Sequence, residues 1–255
     1  MSEKKQYEFP TEVISLPSEG KCYPSDNPLS KGTIEIKYMT AREEEILSSQ
    51  NLIKKGVVLD KLFESIIVDK DINPDDIILG DKNAIMLATR ILGYGADYVI
   101  ESTDDEGNKE EVTIDLGGVQ TKDIDFDLLN SENRYEFTMP QTKTKIEFKL
   151  LTHGDEKAID ADVNAMKKFN KGGISTELTT RYRYIITSVD GKSDTKSVTD
   201  FINNKFLARD TRAFREYIKK VSPDVNMEFE YQNQITGETE VRSIPMGVSF
   251  FWPSN

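Results

Sequence analysis

The apolar and polar positions follow the same pattern in two distant stretches of the chain. In residues 34–44 an alternating apolar run, typical of a strand, ends at Thr40, and Glu43 follows three residues later. The second stretch repeats this order with Thr152 and Asp155. At this spacing the threonine hydroxyl can accept a hydrogen bond from the third helical amide, while the acid accepts one from the threonine amide. The pattern therefore predicts, twice, a strand that runs directly into a capped helix.

The other elements are predicted in the same order before and after the middle of the chain. In the first half they are a strand at 13–17, a loop at 18–32, a strand at 33–39, helices at 41–55, 57–68 and from Asp81 to 92, and a hairpin of 98–101 with 112–116. In the second half they are strands at 135–140 and 145–151, helices at 153–169, 176–189 and from Asp210 to 221, and a hairpin of 225–231 with 239–250. Asp81 and Asp210 are each interpreted as the cap of their helix.

This order predicts an α+β fold that is internally duplicated. After a flexible N-terminal tail at 1–12, two similar strand–helix–helix–helix–hairpin halves, residues 13–130 and 131–255, are expected to pack in a pseudo-twofold arrangement. Each half is an α+β unit with its own caps, and each is too large for a solenoid repeat of about 20–50 residues.

Composition narrows the classes of function. The net charge of the 255 residues is −12, which argues against nucleic-acid binding, because that binding needs a basic face. One Cys and one His exclude an internal disulfide and a metal site built from several Cys or His side chains. The sequence has no signal peptide and no run of about 18 apolar residues, so we expect a cytoplasmic protein that does not cross a membrane.

Candidate chemistry is sparse. His153 lies beside Asp155 and Glu156, but its position at a predicted helix start favours a surface or capping role over catalysis. The acidic clusters at 69–71, 75–76, 104–106 and 123–127 are interpreted as solvated loops, since none has the calcium-loop pattern. We therefore expect no enzyme, no catalytic residue, no cofactor, no metal and no small-molecule substrate. The alternative is a metal-dependent hydrolase that uses the acidic loops and His153.

Two apolar groups are candidates for partner binding. Tyr23 and Pro24 lie in a Pro- and Gly-rich loop between two predicted strands, where a rigid scaffold can present side chains for recognition. Phe250, Phe251 and Trp252 form an aromatic cluster near the end of the sequence, and large aromatic side chains are favoured anchors at interfaces. The alternative is that the aromatic cluster belongs to the protein's own core.

Several distinctive phrases extend over nearly the whole chain: LPSEGKCYP at 16–24, YMTAREEEIL at 38–47, NLIKKGVV at 51–58, ILGDKNA at 78–84, RILGYG at 90–95, LTHGDE at 151–156, LARD at 207–210 and FFWP at 250–253. Together these phrases resemble the baseplate hub protein family of T-even-like contractile-tailed phages.

The resemblance implies a non-enzymatic phage tail protein, either a component of the central hub of the baseplate or a factor in hub assembly. The implied partners are other baseplate hub proteins. Self-association of the chain is a separate expectation, which does not come from the resemblance. The implied location is the virion tail baseplate, with the host cytoplasm as the site of assembly. Relatives carry Cys pairs in the hairpin near 99–116, suggestive of a zinc ribbon, but here Ser102, Asp104 and Asp105 occupy that stretch, so no zinc is expected there.

Overall fold

The fold is α+β, and in the described residues eight α-helices pack with small antiparallel sheets. The computed structural model describes residues 9–103, 109–169, 176–232, 237, 239–244 and 246–251. Most of the predicted tail at 1–12 therefore lies outside the described residues, as do Trp252 and the turn of the hairpin predicted from 98–101 with 112–116.

The elements of the first part of the chain end at residue 115. They are β1 (Thr11–Ser15), β2 (Thr33–Lys37), α1 (Ala41–Ser48), α2 (Gln50–Lys55), α3 (Val58–Ile66), α4 (Leu79–Tyr94), β3 (Asp97–Thr103) and β4 (Lys109–Asp115). A short 3-10 turn, Pro74–Asp76, precedes α4.

The second part follows an irregular segment that contains two 3-10 turns. Its elements are β5 (Tyr135–Thr138), β6 (Lys145–Phe148), α5 (His153–Phe169), α6 (Glu177–Ile185), β7 (Ile186–Val189), α7 (Thr195–Asn204), α8 (Ala208–Val221), β8 (Glu228–Gln232) and β9 (Thr239–Ser243). A 3-10 turn at Val248–Phe251 ends the described residues.

The first hairpin of each part has a comparable register. Ile14 lies opposite Ile34 in the β1–β2 pair, and Phe137 lies opposite Ile146 in the β5–β6 pair. In both parts the chain then passes through helices and returns to the middle strand.

The segment that returns to the middle strand pairs with it over different lengths in the two parts. After α3, Ile67 forms a single antiparallel bridge with Ile36, whereas β7 forms a full third strand in which Ile186 lies opposite Phe148. The sheet of the first part therefore has two strands and that of the second part has three.

The apolar core is shared by the two parts. One cluster of buried side chains includes Ile36 and Phe63 from the first part with Phe148 and Phe214 from the second. A smaller cluster surrounds one face of α4, and its members are Ala84, Leu87, Tyr98, Ile114, Leu116, Val225, Ile244 and Phe250. Burial in both clusters therefore connects residues 13–130 with residues 131–251.

Two predicted elements need correction, and one helix was not predicted. The helix predicted at 41–55 is interrupted at Ser49, whose extended backbone separates α1 from α2. The helix predicted at 176–189 ends at Ile185, because the residues that follow pair with β6 as a strand. Helix α7 was not predicted, and it carries the buried residues Val198, Phe201 and Ile202.

Within the described part of the chain, no helix combines the length and apolar character needed to cross a lipid bilayer.

Candidate functional site

The start of α4 meets the start of α5, and here backbone hydrogen bonds join the two parts of the chain, as they also do where Thr121 bridges Val225. The Leu79 amide donates to the Leu151 carbonyl at 3.0 Å, and the His153 amide donates to the Ile77 carbonyl at 2.8 Å. Ile78 and Thr152 thus form an antiparallel bridge. We call residues 77–79 with 151–153 the junction.

A glycine lets a second contact form beside the junction. A Cβ atom on Gly80 would lie 1.7 Å from the carbonyl oxygen of Pro223, just beyond the end of α8. Since backbone cannot move aside as a flexible side chain can, this position requires glycine. The start of α4 therefore contacts both the start of α5 and the segment that follows α8.

The junction has no twofold counterpart among the described residues. In a pseudo-twofold arrangement the start of α8 would bridge the start of α1, pairing Leu207 with Thr40. No such bridge is present in the described chain, and the Leu207 side chain is 47 % exposed, whereas Ile78 is 2 % exposed. The start of α4 thus bridges the start of α5, but the start of α8 does not bridge the start of α1, and this departs from the predicted pseudo-twofold arrangement.

Both predicted capping boxes are present. The Glu43 carboxylate accepts hydrogen bonds from the Thr40 amide at 2.8 Å and from the Lys37 ammonium at 2.8 Å. Burial alone would raise the pKa of Glu43, but hydrogen bonds from Lys37, Ser65 and Thr40 outweigh it and lower that pKa to about 2. Glu43 is therefore ionised, and it fixes the start of α1.

The second box has the same parts. The Asp155 amide donates to the Thr152 hydroxyl at 3.2 Å, and the Thr152 amide donates to the Asp155 carboxylate at 3.1 Å. Lys149, three residues before the threonine as Lys37 is in the first box, donates to the same carboxylate at 2.8 Å. The sequence prediction of two capped helices that follow strands is confirmed.

The sequence predicted Asp81 as the cap of α4, and this prediction is wrong. The helix begins at Leu79, and the buried Asp81 carboxylate instead accepts hydrogen bonds from the Ser18 amide at 2.9 Å, the Ser18 hydroxyl at 2.6 Å and the Tyr23 hydroxyl at 2.6 Å. The Tyr23 hydroxyl also accepts a hydrogen bond from the Ile78 amide at 3.1 Å, within the junction. These residues form the Asp81 cluster, which fixes the loop at 18–32 to the start of α4.

Burial governs the protonation of this cluster. It raises the pKa of Asp81 above its usual range, although the hydrogen bonds from Ser18 and Tyr23 oppose the shift. It also raises the pKa of the Tyr23 hydroxyl, with the neighbouring Asp81 charge acting in the same direction. Tyr23 therefore remains a neutral donor at any ordinary pH.

Asp210 has the equivalent position in α8, and its predicted capping role is corrected in the same way. The helix begins at Ala208, and the Asp210 carboxylate accepts hydrogen bonds from the Gln141 amide at 2.7 Å, the Thr142 amide at 3.1 Å and the Thr142 hydroxyl at 2.8 Å. Burial raises the pKa of Asp210, but these donors outweigh it and the net shift is downward. We call these three residues the Asp210 cluster.

His153 is a buried residue of the junction, which corrects the predicted surface role. Its side chain is 4 % exposed, its Nε2 lies 2.7 Å from Asp60 Oδ1 of α3, and its ring makes an edge contact with Phe63. Burial and the nearby Lys82 charge lower the pKa of His153, although Asp60 opposes the shift. A neutral ring therefore donates from Nε2 to Asp60, and Nδ1 has no partner in the described chain.

The same place holds the one group of described residues with the composition of a metal site. Ligand atoms of Asp60, Asp75 and His153 all lie within 4.8 Å of one another. The ammonium of Lys157, however, contacts Asp60 at 3.1 Å and Asp75 at 2.7 Å, so a built-in cation already balances these carboxylates. A metal on Nε2 would also move the imidazole proton to Nδ1, where no described acceptor waits for it.

A cleft of about 420 Å³ lies beside the junction. Its floor is apolar and includes Leu79, Leu151 and Ile185, and the charged groups at its rim include Lys82, Lys149, Glu156 and Arg181. Most of these charges are already paired: Lys82 with Glu156, and Lys149 with Asp155. Arg181 makes only a long contact with Glu156, at 3.9 Å.

The predicted partner-binding aromatics lie mainly inside the protein. Tyr23 is 4 % exposed, and Phe250 and Phe251 are 0 % exposed, with Phe250 packed on Tyr98 at 5.1 Å between ring centroids. The burial of Phe250 and Phe251 favours the alternative that the aromatic cluster belongs to the protein's own core, because Phe250 lies in the cluster around α4 and Phe251 in the core shared by the two parts. Pro24 is exposed, as expected, and Trp252 lies outside the described residues.

Three contributors to this site escaped the sequence analysis: Ser18, Asp60 and Lys157. Each meets its partner across dozens of residues, so no local spacing reveals them. With this geometry in hand, comparison with protein-family models, curated proteins and solved structures finds no match in any of the three.

Proposed function

We propose that the protein is a non-enzymatic component or assembly factor of the central hub of a phage tail baseplate, and that it acts through protein–protein contacts. The family resemblance of the phrases at 16–24, 38–47 and 78–84 suggests this role. These phrases coincide with structural contacts: the first contributes Ser18 and Tyr23, and the last contributes Asp81.

The observation that carries the proposal is that the potentially reactive side chains hold the fold together. Asp81, Asp210 and His153 are buried, and each is bonded to a distant segment of the same chain. Groups arranged in this way stabilise a framework and leave no free nucleophile, general base or open ligand set at these positions. A scaffold that presents its surface to partners is the function that such an arrangement supports best.

The proposal includes an internal duplication, with residues 13–130 and 131–255 as two copies of one ancestral unit. Three correspondences support it: the Lys–Thr–acid boxes at Thr40 and Thr152, the hairpin registers, and the clusters at Asp81 and Asp210. Each cluster joins the third residue of a helix to the loop that follows the first strand of its half.

A metal-dependent hydrolase is the second candidate, because Asp75 from an acidic loop does lie beside His153 and Asp60. Lys157 makes this candidate weaker, since its ammonium occupies the space between the two carboxylates.

Co-expression with the hub proteins of a contractile-tailed phage tests the proposal. We expect the chain to co-purify with at least one hub protein, and to show no hydrolysis of ester, phosphoester or peptide substrates with Zn²⁺ or Mn²⁺ added. Failure to bind any hub protein, together with metal-dependent hydrolysis that His153→Gln abolishes, would establish the second candidate instead. Mass spectrometry of purified particles then separates a virion component from an assembly factor.

A further inference from the structure

The junction provides a template for a second contact that the chain leaves unmade. If the proposed correspondence of the halves holds, the counterparts of Ile77–Leu79 are residues 206–208, and the counterparts of Leu151–His153 are residues 39–41. The first set begins α8 and the second begins α1, as in the junction. The inference below rests on that correspondence.

The backbone groups needed for this second contact are available. In the junction, hydrogen bonds join the amide of residue 79 to the carbonyl of 151, and the amide of 153 to the carbonyl of 77. Their counterparts are the Ala208 amide with the Met39 carbonyl, and the Ala41 amide with the Phe206 carbonyl. None of these four groups has a hydrogen-bond partner among the described residues.

The side chains at the same place are exposed. Leu207, in the position of the buried Ile78, is 47 % exposed, and the neighbouring Ala208 and Ala41 are also exposed. An apolar side chain flanked by unpaired backbone donors and acceptors on two short segments has the composition of a strand-type contact.

Charge favours a contact between the first half of one chain and the second half of another. Residues 1–130 hold 27 acids and 14 bases, a net charge of −13, whereas residues 131–255 hold 18 acids and 19 bases, a net charge of +1. The asymmetry is local as well. Glu44, the counterpart of the Glu156 that pairs with Lys82, is exposed, and exposed Arg209 and Arg212 lie at the start of α8.

We propose that the protein self-associates head to tail, with residues 206–208 of one copy bridging residues 39–41 of a second copy and so repeating the junction between molecules. A contact of this kind joins two different surfaces and leaves one of each free on the resulting dimer. Repetition therefore produces a closed ring, or an open filament if the rotation does not close. A closed ring would suit a component of a central hub, one of the two proposed roles.

The proposed contact differs from the junction at one position, and this difference affects how closely the two copies can approach. Gly80 allows the junction to approach Pro223 closely, but its counterpart is Arg209. The intermolecular contact is therefore expected to be wider at this point, with the guanidinium directed toward the end of α4 in the neighbouring copy, where carbonyl groups favour a cation.

Sedimentation of the full chain over a concentration series, from about 1 µM to about 1 mM, tests the proposal. We expect a concentration-dependent rise in mass above that of the monomer, and Leu207→Glu should abolish it, because a carboxylate cannot be buried at the bridge without a partner. A chain that remains monomeric throughout, or association that Leu207→Glu leaves unchanged, would overturn the proposal.

Proline variants remove the proposed donors without disturbing the folded monomer. Ala41 and Ala208 are the first residues of their helices, where proline is tolerated, and each follows a residue in extended conformation. Ala41→Pro and Ala208→Pro should each weaken association about tenfold or more. Thr195→Pro, at the first residue of α7 and exposed, is the matched control and should associate as the unaltered chain does. Equal effects of all three prolines would contradict the proposal.

A mixing experiment tests whether the two segments contact each other. Leu207→Glu retains an intact surface at 39–41, and Ala41→Pro retains an intact surface at 206–208. An equimolar mixture should therefore form dimers and nothing larger, and a mixture that stays monomeric would overturn the contact. A twofold interface of the same two segments would also rescue the mixture, but it would limit the unaltered chain to dimers, so an unaltered chain that stops at the dimer would overturn the head-to-tail geometry.

The outcome can be separated from that of the proposed function. A monomeric chain that still co-purifies with a hub protein would overturn the self-association alone. If Leu207→Glu instead abolishes hub binding while the free chain is monomeric, the surface belongs to a hub partner and the second copy is excluded. Self-association without any hub binding would leave this contact standing and remove the proposed function.

Discussion

The Asp81 and Asp210 clusters each attach a loop to the start of a helix, but their surroundings differ. In each, the third residue of a helix fixes the loop that follows the first strand of its half. Around Asp81 the donors include two buried hydroxyl groups, those of Ser18 and Tyr23. Around Asp210 two of the three donors are backbone amides, and their residues, Gln141 and Thr142, are exposed.

The comparison teaches that equal hydrogen-bond counts do not produce equal electrostatics. Both carboxylates accept three hydrogen bonds, yet the pKa of Asp81 is raised and that of Asp210 is lowered. Desolvation dominates at Asp81, where the Asp224 carboxylate acts in the same upward direction. At Asp210 burial also raises the pKa, but the hydrogen bonds from Gln141 and Thr142 together outweigh it, and Lys143 assists them. The depth of the surroundings therefore decides the sign.

The largest effect is expected for Asp81→Ala. The substitution leaves the Ser18 amide, the Ser18 hydroxyl and the Tyr23 hydroxyl without an acceptor in a buried site, and we expect the free energy of unfolding to fall by about 4 kcal/mol. Urea denaturation measures it. A loss below about 1 kcal/mol would mean that water reaches the site and that the two clusters are alike.

A smaller loss is expected for Asp210→Ala. The same number of donors loses its acceptor, but the loop at 141–142 is exposed, so water can replace the carboxylate and the free energy of unfolding should fall by only about 2 kcal/mol. Thr142→Val is a control that removes one donor and should have less effect. If Asp210→Ala costs as much as Asp81→Ala, exposure of the loop is not what separates the clusters.

Thr40→Ala and Thr152→Ala should each lower the free energy of unfolding by about 1 kcal/mol, because each removes the side-chain acceptor at a helix start. Thermal unfolding of the two variants side by side measures this. Similar losses would support the proposed duplication, whereas a loss in only one variant would show that one box is dispensable.

The two carboxylates should also change the stability of the protein with pH in opposite directions. Because the folded pKa of Asp210 is depressed, its stabilising contribution is present above the ordinary value of 3.8 and is lost as the pH falls through the folded pKa. The folded pKa of Asp81 is raised, so its effect is reversed: stability falls as the pH rises from 3.8 through the folded value.

Urea denaturation of Asp81→Asn and Asp210→Asn at several pH values, from about 3 to about 7, tests the signs. Relative to the unaltered chain, the cost of Asp210→Asn should shrink on acidification and that of Asp81→Asn should grow. Parallel pH profiles for the two variants would contradict the contrast.

The sequence predicted the features that depend on near neighbours. The boxes at Thr40 and Thr152 and the full extent of α5 were predictable, because their determinants lie within a few residues of one another. The roles of Asp81 and His153 were not. The Asp81 carboxylate is satisfied by Ser18, 63 residues away, and His153 is buried by α3. The apolar spacing of residues 186–189 fits both a helix and a strand, and it is their pairing with β6 that makes them a strand.

His153 is the only histidine among the 255 residues, and it lies where the two parts of the chain meet. An NMR spectrum of imidazole resonances would therefore contain a single set of signals, without any need for assignment. Its tautomer reports the bond to Asp60, and its response to acid reports water entry beside α3. Since opening of the contact would expose this ring, the protein carries its own probe of separation between its two parts.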